Sequence, residues 1–96
     1  MRLSFHPAVQ KDINAILRHY DAISDKLGDR FFSELTASFD SVLENPQRGH
    51  IEKADVRRVN LTTFPFHFLY RVLADRVRIT VVKHHKPDLK FGMPRR

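Results

Sequence analysis

Three arginines and two histidines in the second half of the chain carry the chemistry that this sequence could perform. Along the β-branched and aromatic runs from residue 56 to residue 85, strand alternation sends Arg58 and Asn60, then His67, Leu69 and Arg71, then Arg78, Thr80, Val82 and His84 to one face. Cationic neighbours disfavour the imidazolium form, so a histidine among arginines stays neutral and suits a general base. The guanidinium groups could in turn stabilise the charge of a pentavalent phosphorane. On that chemistry His67 and His84 are acid/base candidates, with Arg58 and Arg71 as charge stabilisers. Arg57, Arg78, His85, Lys86, Lys90, Phe91, Arg95 and Arg96 extend the set as a surface for an anion or a target. The same residues equally describe the water-facing side of an ordinary antiparallel sheet, or a face that binds without catalysis.

Other templates fail on residue inventory. Neighbours in a strand point oppositely, so His84-His85 cannot offer two ligands to one metal, and with no Cys in the chain neither a metal nor a cofactor is expected. The three Gly stand apart at Gly28, Gly49 and Gly92, which excludes a phosphate-cradling loop. No nucleophile elbow appears.

The elements that position these side chains follow from periodicity. Leu3, Ser4 and Phe5 alternate as a short strand ended by Pro7, a residue tolerated in the first turn of a helix. Val9, Ile13, Ile16, Leu17 and Tyr20 then recur at helical spacing. A second stripe, Leu27, Phe31, Phe32, Leu35, Phe39, Val42 and Leu43, follows the N-cap candidate Ser24 and ends at Asn45-Pro46. The short link between them predicts an antiparallel helix hairpin. Strands over 56–61, 66–73 and 77–85, separated by short turn-like links, predict a three-stranded meander. Its other face, Val59, Leu61, Phe66, Phe68, Tyr70, Val72, Val77, Ile79 and Val81, is apolar and must lie under the helices. The expected fold is α+β: an N-terminal strand and two-helix antiparallel hairpin packed on one face of a mainly antiparallel sheet that ends in the meander.

Length and charge set the bounds. Ninety-six residues allow one domain, 1–96, with a basic C-terminal tail over 86–96. The net charge of +6 is uneven: residues 1–48 hold six basic and seven acidic side chains, and residues 49–96 hold eleven and four. All the excess positive charge falls on the meander and the tail, which suggests an acidic partner. The absence of Cys fits a reducing compartment, and the N-terminus has no apolar run of signal-peptide type, so a cytoplasmic protein without a membrane partner is expected.

This order of elements resembles the RelE/ParE superfamily of bacterial type II toxin–antitoxin toxins. The resemblance is carried by Phe5-His6-Pro7-Ala8 with Asp12-Ile13, Leu43-Glu44-Asn45-Pro46 with Gly49, and Val56-Arg57-Arg58-Val59-Asn60-Leu61. Phe64-Pro65-Phe66, Leu69-Tyr70-Arg71-Val72, and Val82-Lys83-His84-His85 running to Phe91-Gly92-Met93 and Arg95-Arg96 complete it. It implies a growth-inhibiting toxin, of the kind borne by plasmid-stabilising systems, that a cognate antitoxin neutralises within a hetero-oligomer. RelE-like members are ribosome-dependent mRNA endoribonucleases; ParE-like members poison DNA gyrase and have no catalytic activity of their own.

The ribonuclease members set basic side chains on the second and third strands, another near the end of the last strand, and a Tyr in the tail. Here the matching positions are Arg58, Asn60 and His67, then His84, His85 and Lys86, with Phe91 near the Tyr. Asn60 and Phe91 supply neither a proton at neutral pH nor a charge. The resemblance therefore favours the ParE branch, with the RelE-like endoribonuclease as the alternative and a nonenzymatic basic binding module as a third reading.

Overall fold

The computed structural model describes residues 1–86. Strand β1 (Arg2–Phe5) leads into helices α1 (Val9–Asp21) and α2 (Asp25–Glu44), followed by strands β2 (His50–Lys53), β3 (Val56–Asn60), β4 (Phe66–Val72) and β5 (Arg76–His84). The five strands lie in the order β1-β5-β4-β3-β2, with β1 parallel to β5 and the remaining pairs antiparallel. The α+β arrangement is the one that periodicity predicts.

Each helix buries most of the stripe read from its spacing, but Phe32, expected within it, is 45% exposed because it lies on the flank of α2 away from the sheet-facing core residues. Val9, Ile13 and Ile16 of α1 and Phe31, Leu35, Phe39 and Val42 of α2 meet Phe66, Phe68 and Tyr70 of β4 in one core cluster. Aromatic rings interlock there edge to face: Phe39 and Phe68 have centroids 4.8 Å apart, and Phe31 and Phe64 5.5 Å. The turn into α1 is capped locally, since His6 Nδ1 accepts the Ala8 N–H at 3.0 Å beside Pro7. Ser24 precedes α2 as expected but makes no side-chain cap; its carbonyl accepts from Leu27 and Gly28 instead.

Strand β2 is an addition to the expected fold. All four of its residues, His-Ile-Glu-Lys, are exposed, so no apolar alternation marks them, and backbone pairing with β3 is what makes them a strand. Charged residues on such an edge discourage pairing with other chains. The loop before β2 is tied down by Tyr70, whose hydroxyl donates to Pro46 O at 2.8 Å and accepts the Gly49 N–H at 2.9 Å. A Cβ on Gly49 would lie 2.7 Å from that hydroxyl and 2.9 Å from the Arg58 carbonyl, so only glycine permits this approach.

One irregularity changes the assignment of faces. Leu69 pairs with Val81 and Tyr70 with Ile79, which leaves Thr80 as an extra residue: a β-bulge in β5. Before the bulge, Val77 and Ile79 face the helices as alternation requires. Beyond it, parity inverts, and Val82 joins the core cluster while Val81 pairs with Leu69 on the other side.

Candidate functional site

The face turned away from the helices is built by β2 to β5. His67, on β4, pairs with Asn60 of β3 and Lys83 of β5. Just past β5, the His85 N–H donates to Pro65 O at 2.9 Å, which brings its ring over His67. The two imidazoles stack with centroids 5.3 Å apart and 14° between their planes, and their Nδ1 atoms are 3.1 Å apart. Two nitrogens this close share one proton: one ring donates Nδ1–H, and the other accepts through its Nδ1 lone pair. The accepting ring is therefore neutral. His67 is only 3% exposed, and its pKa is lowered to about 3 by burial first and then by Arg58, Lys83, His85 and His84. Burial, Arg58 and His84 lower His85 as well.

The bulge requires a correction to the expected acid/base pair. His84 does not share a face with His67; it lies beside Phe66 at 5.0 Å between ring centroids, and its Nδ1 accepts the Lys86 N–H at 3.0 Å. His85 takes the position expected of His84. Val82 likewise lies in the core instead of on the open face, and Val81, expected beneath the helices, exchanges with it.

Arg58 does reach this corner. Its Nε donates to Asn60 Oδ1 at 2.7 Å, and its Nη1 lies 3.6 Å from Glu52 Oε1. Asn60, which can carry no charge, thus aims the guanidinium, a role that residue type alone did not disclose. Arg71 lies elsewhere. Four residues along β4 from His67, a separation of roughly 13 Å, it is held by Asp55, whose Oδ2 accepts from its Nε at 3.0 Å and Nη2 at 2.8 Å. That contact lowers the Asp55 pKa, chiefly through the hydrogen bond. Glu52 and Asp55 bring two carboxylates to these arginines, both from the β2–β3 hairpin that the side-chain pattern did not predict.

The binding set divides similarly. Arg57 is a clamp: its Nη1 donates to Gly49 O at 2.7 Å and to Gln47 O at 3.3 Å, so its charge is used on the α2–β2 loop. Arg78 stands opposite Arg71, and Lys86 is exposed next to His85. Lys90, Phe91, Arg95 and Arg96 lie outside the described residues, as does most of the tail.

Two grooves flank the sheet. One, of about 500 Å³, is lined by Val56, Leu69 and Thr80 together with charges of both signs, Lys53, Arg71 and Lys83 beside Glu52 and Asp55. The other, of about 430 Å³, lies between β1 and the helix hairpin and is lined by Leu3, Phe5, Phe32 and Phe39. Among the described residues, no group of three or more His, Asp or Glu side chains is arranged to hold a metal ion. No helix among them is long and apolar enough to cross a membrane.

A helix hairpin on one face of such a sheet is a fold shared with solved chains of toxin–antitoxin systems. A chain of the chromosomal ParDE toxin–antitoxin system from P. aeruginosa superposes with a TM-score of 0.77 at 20% identity, covering 88% of this chain and 95% of that one. A chain of the intact E. coli RelBE toxin–antitoxin complex gives 0.67 at 19% identity, covering 88% and 96%. The isolated E. coli RelE toxin gives 0.65 at 19%, covering 90% and 85%. No curated protein sequence matches the chain.

At these identities the superpositions define the fold alone. The family follows from sequence: the family model described as ParE toxin of type II toxin-antitoxin system, parDE, matches residues 3–89, and the chain belongs to that family.

Proposed function

We propose that this toxin arrests bacterial growth by poisoning DNA gyrase, without a catalytic step of its own, and that a cognate antitoxin neutralises it. The observation that carries this choice is the state of His67. Cleavage of RNA by its 2′-hydroxyl needs a base with a pKa near the working pH and an acid for the leaving oxygen. His67, at about 3, is too weak a base by several units, and its Nδ1 is already engaged with His85. His84, the proposed partner, is on the other face beside Phe66. What remains is a cationic corner, Arg58 with Lys83, suited to holding a phosphate or a carboxylate.

The antitoxin has a suitable seat of different character. The apolar groove beside β1, where Phe5 and Phe32 are each 45% exposed, could take the apolar side of an amphipathic segment. The place of action under this reading is the cytoplasm, where gyrase and the chromosome lie.

Induction of the chain in a bacterium should produce double-strand breaks, and the purified protein should trap gyrase on cleaved DNA. Growth arrest with an intact chromosome and no trapped gyrase overturns the proposal. The same cationic corner favours one second reading, a RelE-like endoribonuclease. That reading requires cleaved messages on translating ribosomes and their loss in the double variant His67→Ala, His85→Ala.

A further inference from the structure

The pairing of His67 with His85 depends on a register shift, and the shift has an anchor far away in sequence. Strand β1 covers β5 only as far as Phe5 opposite Ile79, and the His6 N–H then donates to Ile79 O at 2.8 Å. Pro7 has no N–H to continue the ladder, and the chain turns away into α1. Among the described residues no strand pairs with the outer side of β5 beyond Thr80. Asp12, in the first turn of α1 and only 5% exposed, fills that place: its Oδ2 accepts the buried Val82 N–H at 3.1 Å.

We propose that Asp12 is a positioning residue for the imidazole pair, holding β5 in its bulged register so that Lys83 and His85, and not His84, stand on the open face with His67. The two registers of β5 differ by one residue and exchange every side chain after the bulge. In the unbulged register Val82 moves to the open face, and its N–H no longer meets a carboxylate projecting from the helix layer. The carboxylate of Asp12 would then be buried without that donor, which penalises the alternative. Lys83 opposes it too, because that register would turn its ammonium toward Phe66 and the helices. Asp12 acts through the backbone of residue 82 and has no need to touch either imidazole.

The test uses NMR on the whole chain and reads neither gyrase nor ribosome, so it is independent of the target of the toxin. In the unaltered protein a scalar coupling should run from the Val82 amide nitrogen to the Asp12 side-chain carbonyl carbon. Its absence overturns the proposal. Asp12→Leu, which keeps bulk but removes the acceptor, should speed exchange of the Val82 amide at least about tenfold and abolish the unequal Nδ1 tautomers of His67 and His85. Asp12→Asn, whose carbonyl oxygen can still accept, should restore both. A folded Asp12→Leu variant with slow Val82 exchange and an unchanged imidazole pair refutes it. Should Asp12→Leu fail to fold, the coupling in the unaltered protein and the imidazole tautomers of Asp12→Asn decide: a lost tautomer pair in that variant counts against the proposal.

Discussion

Acidification should destabilise this protein through His67, and the size of the effect follows from its position. The ring is buried and neutral, and its folded pKa of about 3 lies well below the 6.5 expected of an unfolded histidine. Below pH 6.5 the unfolded chain binds a proton there that the folded chain refuses, so stability falls as pH falls through this window and continues to fall until about pH 3. Each unit costs about 1.4 kcal/mol for one such group, so His67 alone should remove about 2–3 kcal/mol between pH 7 and pH 4.5. A domain of this size commonly has about 5–15 kcal/mol in total. Urea unfolding of the unaltered chain and of His67→Gln, run at half-unit steps from pH 7.5 to 4.5, isolates the contribution. The difference between the two curves should be constant above pH 7 and change by that amount by pH 4.5. Parallel curves throughout would show that His67 protonates readily in the folded state, so that its buried ring is not held neutral.

Four further substitutions have outcomes set by contacts already described. Tyr70→Phe strands the Gly49 N–H and the Pro46 carbonyl together, and chemical denaturation should register a loss of about 2–4 kcal/mol, with Gly49→Ala destabilising by at least about 1 kcal/mol through the same contact. Phe39→Ala, which empties the space packed against Phe68, should cost about 3–5 kcal/mol in the same assay. Removal of the His85 ring by His85→Ala uncovers His67 and deletes one of the groups that lower it, so the His67 titration followed by NMR should move up toward the ordinary histidine range.

Much of the fold was legible because its signals are local. Phe31, Leu35, Phe39 and Val42 have helical spacing and are buried together, and Phe66, Phe68 and Tyr70 alternate inward as a strand on a core must. Strand β2 was not legible. His50–Lys53 has no buried side, and its conformation comes from hydrogen bonds to β3, which a pattern of side chains cannot register. With that strand came Glu52, and with the turn after it Asp55, the carboxylates that engage Arg58 and Arg71. The bulge at Thr80 left a trace that strict alternation passes over: continued inward beyond Val81, it would bury Lys83 next. A lysine due under the helices is a signal that the register must slip.

The sequence by itself determined that this is a small basic α+β domain with a helix hairpin over a mainly antiparallel sheet, and that its positive excess falls on the meander and tail. Periodicity and composition act residue by residue along the chain, so the order of residues is enough to read them. Which imidazole meets His67 was decided only in three dimensions. A single extra residue in β5 reverses all parity after it, and what holds that residue in place, the buried Asp12 carboxylate on the Val82 N–H, joins positions 70 residues apart. A contact of that span is set by how α1 lies against the sheet, and no local pattern in either segment encodes it.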